Sequence, residues 1–275
     1  MRAIVCVILC AGAAAAHAAP SHEDLEARAK DVRARVGKGY AVVVEDPFVV
    51  IGDAGAKALK KDTSGFMHWT ITMLEQEYFT ARPDKIIEVY LFRNETTYRR
   101  GAKQLFGDDP DTPYGYYSSE HDAIIMNLGP GAGTLSHELV HPYMEANFPG
   151  VPAWFNEGLA SLYERPSERD GHIVGLPNWR LPELKREIRA KTLPDLATLL
   201  STTDDEFYKA DYDAYAFARY LVYYLQEHGE LHDFYEAFRA DNDDRTGKAA
   251  LEATLGEDLA TFEPKWRAWV LEISE

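Results

Sequence analysis

The chain has 275 residues, 46% of them hydrophobic and 27% charged, which is enough to bury a sizeable core. With 29 basic against 45 acidic residues its formal charge is −16, a surface that repels phosphate backbones and anionic lipid and so excludes nucleic-acid and membrane-surface binding as expected partners. Its 2 cysteines, Cys6 and Cys10, both lie at the extreme N terminus, so a metal bound farther along must be held by His, Asp or Glu.

Arg2 is followed by an apolar run from Ala3 to Ala16 and by the small-x-small pattern Ala16-His17-Ala18. Residues 1–19 therefore read as a secretory signal peptide, too short for a comfortable transmembrane helix. The protein is expected to be exported, periplasmic or secreted, with no membrane contact beyond that segment. Ser21-His22-Glu23-Asp24 resembles a capping box and opens a helix ending near Gly37. Tyr40 to Val44 and Phe48 to Ile51 are β-branched runs split by Asp46-Pro47. Ala56 to Thr80 has helical spacing through Leu59, Phe66, Trp69, Met73 and Leu74. Ile86 to Phe92 is a buried strand, and Glu95 to Phe106 a helix ended by Gly107. Tyr114 to Tyr117 and Ala123 to Leu128 form a hairpin, or a strand with its return. Beyond the Gly129-Pro130-Gly131-Ala132-Gly133 run, helices are expected at about 134–147, 153–165, 178–191, 211–228, 230–240, 246–255 and 257–273. This order predicts an α+β protein with a small N-terminal mixed α/β lobe (residues 20–148) and a mostly helical lobe (residues 149–275).

His137-Glu138-Leu139-Val140-His141 is the sharpest motif. On a helix, positions i and i+4 lie about 40° apart around the axis and one turn apart along it, so both imidazoles face one way and can chelate a single zinc. Glu138 lies about 100° further round, too far to ligate well yet within reach of a water beside the metal. A catalytic zinc wants a third protein ligand and an open fourth position. Glu157 follows His141 by 16 positions, across the turn Pro149-Gly150-Val151-Pro152, in the helical segment Trp154 to Glu164. Pro142 directly after His141 predicts a kink or an early helix end.

Together, His137-Glu138-Leu139-Val140-His141 and Trp154-Phe155-Asn156-Glu157-Gly158-Leu159-Ala160-Ser161-Leu162-Tyr163-Glu164 resemble the gluzincin metallopeptidases, which include thermolysin and the aminopeptidase N relatives. The short spacing, and the strand region leading into Thr134-Leu135-Ser136-His137, resemble the small peptidase MA-like domains. The resemblance implies a zincin-like fold and one Zn2+ per chain on His137, His141 and Glu157. It also implies Glu138 as general base and Glu164 as a carboxylate supporting the site from behind the ligands. Asp211 to Leu221 resembles the family's helix bearing an oxyanion donor, with Tyr215 the first choice and Tyr212 the second. The Gly-x-Met-Glu-Asn motif of the aminopeptidase N relatives is missing, so their specificity is not carried over.

The expected activity is peptide-bond hydrolysis on a peptide or protein substrate. Strand Ala123 to Leu128 is expected to be the sheet edge along which the substrate pairs, with Ile124 and Met126 as contacts. Two other readings share the motifs: a non-catalytic zinc-binding envelope or interaction protein, and a zinc amidohydrolase acting on a non-peptide amide. His172, His228 and His232 read as surface or capping residues, and His121 is a further candidate for the cleft. The glycine run lacks the Gly-Lys-Ser/Thr ending of a phosphate loop, and there is no Gly-x-Ser-x-Gly elbow of the usual serine hydrolase.

Overall fold

The computed structural model describes residues 19–118 and 120–274; the signal segment expected over residues 1–19 lies outside the described residues, apart from Ala19. The capping box at Ser21 is formed, with Asp24 N donating to Ser21 Oγ at 3.2 Å and Ser21 N donating to Asp24 Oδ2 at 2.9 Å, and it opens α1 (His22–Val36). The two β-branched runs become the antiparallel pair β1 (Ala41–Glu45) and β2 (Phe48–Gly52). The single helix expected to Thr80 is divided into α2 (Ala56–Asp62), a π-helical turn Thr63–Met67 and α3 (His68–Glu77). Then come β3 (Ile87–Phe92), α4 (Glu95–Leu105), and the hairpin β4 (Gly115–Ser118) with β5 (Ala123–Asn127).

The five strands form one sheet in the order β1-β2-β3-β5-β4, with β2–β3 and β3–β5 parallel and the outer pairs antiparallel. This corrects the expected edge. Met126 of β5 pairs with Leu91 on one side and Gly115 on the other, so β5 is an interior strand and β4 is the edge. Ile124 and Met126 are both fully buried in the core beneath the sheet and cannot serve as substrate contacts. The continuous apolar run of β5 suits a strand covered on both faces, whereas Gly115-Tyr116-Tyr117-Ser118 is only half covered.

One sheet face, through Val50, Val89, Leu91, Ile124 and Met126, packs on the large core that includes the helices after residue 133. The other, through Val49, Ile51, Tyr90, Phe92 and Ile125, is covered by α1 and α4. On that side Glu88 is 2% exposed and takes Arg28 Nε at 2.7 Å, with Arg35 and Tyr90 also donating to it, so the buried carboxylate ties α1 to β3.

The remainder is helical except for one hairpin: α5 (Gly133–Asn147), α6 (Ala153–Leu162), β6 (Pro166–Arg169), β7 (His172–Gly175), α7 (Leu181–Ala190), α8 (Leu196–Ser201), α9 (Asp204–Tyr208), α10 (Ala214–Glu227), α11 (Leu231–Ala240), α12 (Lys248–Leu255) and α13 (Leu259–Glu272). The β6–β7 hairpin, α8 and α9 were not expected from periodicity, because each is too short to establish a repeat. Pro142 does not end its helix; α5 continues to Asn147, whose Nδ2 donates to Tyr143 O at 2.8 Å. The protein is α+β, with a mixed five-stranded sheet and predominantly helical elements after it.

Two glycines and one arginine set how α5, α6 and α10 meet. A Cβ on Gly133, at the start of α5, would stand 2.0 Å from Glu164 O. A Cβ on Gly158 would stand 3.2 Å from the Ala218 backbone, so α6 and α10 approach closely there. Arg219 of α10 is fully buried and donates from Nε to Ser161 O at 2.8 Å and from Nη2 to Leu162 O at 3.3 Å, capping the C-terminal carbonyls of α6. Gly133→Ala should therefore lose about 1–3 kcal/mol, because its neighbour is backbone and cannot swing aside. Thermal unfolding should show a melting temperature several degrees lower; an unchanged melting temperature would mean that this contact relaxes freely.

Candidate metal centre

Helix α5 presents His137 and His141 one turn apart, and the two rings lie 5.0 Å apart at their centroids. Helix α6 brings Glu157 against them: its Oε2 is 3.2 Å from His137 Nε2 and 3.9 Å from His141 Nε2. One ligand atom from each of the three residues lies within 4.8 Å of the others. Bonds of about 2.0–2.2 Å in a tetrahedral shell place ligand atoms roughly 3.3–3.6 Å apart, so the spacing is close to that of one ion. The satisfaction pattern agrees. Glu157 Oε2 is buried without a hydrogen bond, the state of an oxygen left for a cation. Its approach to His137 is a charge contact, not an aligned hydrogen bond.

A second layer holds these groups. Tyr208 donates its hydroxyl to the other Glu157 oxygen, Oε1, at 2.7 Å. His141 Nδ1 meets Asn156 Oδ1 at 3.1 Å, which fixes the ring so that Nε2 faces the centre. Glu164 Oε1 is 3.7 Å from His137 Nδ1. That carboxylate is itself gripped by Arg180, with Nε donating to Oε2 at 2.9 Å and Nη2 to Oε1 at 2.7 Å, and by Asn178 Nδ2 at 2.8 Å.

Burial would push the proton off His137, but Glu157, Glu138 and Glu164 around it outweigh that cost and raise its pKa to about 9. Burial would likewise raise the Glu157 pKa, yet the histidines and the Tyr208 hydroxyl hold it at about 2. Glu138 goes the other way: burial raises its pKa, and the nearby histidines only moderate the rise. The metal-free centre is thus an imidazolium–carboxylate pair beside a carboxylate whose affinity for protons is enhanced.

These groups form part of the lining of a cleft of about 840 Å³, which edge strand β4 borders through Gly115, Tyr116 and Tyr117. His137, Glu138, His141, Glu157, Glu164 and Tyr215 all lie in it. Tyr212 does not, which corrects its place as second oxyanion candidate. It packs edge-on against Phe217 with its hydroxyl buried and unbonded, beside Thr198, Thr202 and Glu206. Its neighbour Asp213 caps α10 by accepting from Ala216 N, and Tyr215 lies in the first turn of that helix. His121 packs on Phe106 and not in the cleft. His172 and His232 bond Glu77, and His228 stacks on Tyr224.

Tyr208, Asn156, Arg180 and Asn178 went unassigned in the sequence. Asn156 could have been found, since it stands beside Glu157 on the ligand helix. Tyr208 lies in a five-residue helix after an acidic turn, and nothing local marks it.

Were a zinc ion taken up by these three residues, it would expel a proton. His137 must be neutral to ligate, so affinity would rise with pH up to about 9 and then level off, and titration calorimetry in buffers of different ionisation enthalpy would find about one proton released at pH 7. In the metal-free protein the sign runs opposite for the two groups. The raised His137 pKa gives stability that is lost as pH climbs from 6.5 through about 9, and the lowered Glu157 pKa gives stability that is lost as pH falls from 4.5 through about 2. The pair therefore stabilises most between those windows. Glu164→Ala should weaken zinc binding by about 10–100-fold, read by competition with a chromogenic chelator; unchanged affinity would remove Glu164 from the centre. No protein-family model matches the chain, and a search of curated proteins returned no match.

Proposed function

We propose that the protein is an exported zinc metallopeptidase of the gluzincin type, similar to the peptidase MA-like domains, hydrolysing peptide bonds with water. The observation that carries this reading is a buried, unligated carboxylate, Glu138, beside a set of two imidazoles and one carboxylate at the base of an open cleft. A non-catalytic metal site has no chemical need of that fourth group. The lobe arrangement of a zincin-like fold belongs to the same proposal: a sheet whose edge borders the cleft, an α5 that carries the motif, and a helical second part that supplies Glu157. Two nitrogens and one carboxylate oxygen, with no thiolate, are the donor set of a hydrolytic zinc with an open position.

Zinc held there would supply Lewis acidity to the scissile carbonyl and to the attacking water. The chain supplies the rest. Glu138, with its raised pKa, accepts the proton of that water and passes it to the leaving amine. The Tyr215 hydroxyl is the proposed donor to the oxyanion, with the Arg180 guanidinium stacked 5.0 Å over its ring to fix it. Strand β4 is the terminal strand of the sheet, with no further described strand on its outer side, so an extended peptide could pair along Gly115 to Ser118. That role passes to β4 from the strand first expected to hold it. The apolar leader supports export.

Glu138→Gln should keep its zinc, measured by atomic emission, and lose about 10²–10⁴ in the rate of cleaving a peptide library. Hydrolysis at the wild-type rate would remove the assigned base, and no cleavage by the zinc-loaded wild type would remove the peptidase reading. Tyr215→Phe should lower kcat by about 10²–10³ with little change in KM. An equal loss on the KM side would instead make Tyr215 a binding residue.

A further inference from the structure

Among the described residues three large hydrophobic side chains are exposed: Tyr114 at 44%, Trp179 at 57% and Tyr208 at 54%. All three line the cleft over the metal centre. Apolar residues exposed singly across a surface carry no message, but confinement of all three to one cleft does.

Two of them belong to one continuous wall. The Tyr208 ring lies 6.4 Å from that of Tyr215, the Arg180 guanidinium carbon is 5.0 Å over Tyr215, and the same carbon is 5.9 Å over Trp179. The wall begins at the centre itself, because Tyr208 donates to Glu157 and Arg180 grips Glu164. Tyr114 and strand β4 also line the cleft. A chain paired on β4 turns alternate side chains to opposite faces, so one set can reach the wall.

Charge narrows the occupant. Among the described residues the cleft lining carries Glu138, Glu145, Glu157 and Glu164, and its one Lys or Arg is Arg180, already committed to Glu164. An acidic side chain or a C-terminal carboxylate held against the wall would meet these carboxylates, with the charge of Arg180 already matched. Of the polar groups beside the wall, Asn156 Oδ1 is engaged by His141 and the Tyr208 hydroxyl by Glu157, so fewer are left for a sugar. An aromatic or long apolar side chain needs none of them.

We infer that the wall of Trp179, Arg180, Tyr215 and Tyr208 sets substrate selection: the protein takes polypeptide segments with an aromatic or long apolar, non-acidic side chain next to the scissile bond. This inference rests on the metallopeptidase reading and names the substrate class of that same site. The offset and edge-on contacts available between a substrate ring and this wall add to simple burial.

The test uses zinc-loaded protein and end-blocked peptides that differ at one position, Phe, Ala or Asp. The kcat/KM for Phe should exceed that for Ala by about tenfold or more, with Asp slowest. Trp179→Ala should shrink the Phe/Ala ratio by about fivefold. A parallel calorimetric titration of the Glu138→Gln protein reads binding without turnover, and the Phe peptide should bind more tightly than the Ala peptide, with the gap narrowed by Trp179→Ala. Cleavage with no Phe preference, a preference that Trp179→Ala leaves unchanged, or binding of an N-acetylglucosamine oligosaccharide in place of peptides would overturn the inference. Selective binding of the Phe peptide without any hydrolysis by the wild type would support it while removing the peptidase reading, so the two failures are distinct.

Discussion

Three carboxylates, Glu138, Glu157 and Glu164, share a buried volume with His137 and with His141 at its margin, and no more than a tenth of any of the three is left in water. Charges taken out of water are costly unless each meets a counter-charge, and this constraint organises the region. Arg180 answers Glu164 with two parallel hydrogen bonds. The proton held by His137 answers Glu157. Glu138 has only the more distant pull of the two imidazoles, and its pKa rises accordingly. A divalent ion among the three ligand atoms would replace the proton and leave the rest of the balance intact, so the same geometry could hold a metal.

Such a cluster forms only if α5 and α6 are pressed together along the correct faces. The contact of Gly133 with the Glu164 carbonyl, the contact of Gly158 with α10, and the buried guanidinium of Arg219 on the last carbonyls of α6 act together. Arg219 reaches across to Leu176 O as well, at 2.5 Å, so the end of α6 and the segment following β7 are held by one side chain. Asn178 and Arg180 follow directly on that segment, so a single buried cation places the two residues that grip Glu164.

The cleft joins two kinds of surface. One is the outer edge of β4, polar in its backbone and indifferent to side-chain identity. The other is the wall from Tyr208 to Trp179, where the arginine is at once the partner of Glu164 and the link between two aromatic rings. In the proposed peptidase the first would hold any extended chain and the second would discriminate among side chains. The two functions can then vary separately, because strand β4 and the segments that build the wall are far apart in the sequence.

The motif residues were legible without a structure because their geometry is local. A helix brings positions four apart onto one face whatever surrounds it, so His137 and His141 had to converge and Glu138 had to stand to one side. The capping box at Ser21 and the α+β order were legible for the same reason, each depending on neighbours in the chain. The placing of β5 inside the sheet was decided by pairing with β3, a contact between residues 35 positions apart at Val89 and Ile124. The exclusion of Tyr212 from the cleft, and the entry of Tyr208 and Arg180, were likewise settled by packing between elements. Periodicity fixes which face of a helix a residue occupies, but only the tertiary structure decides what that face meets.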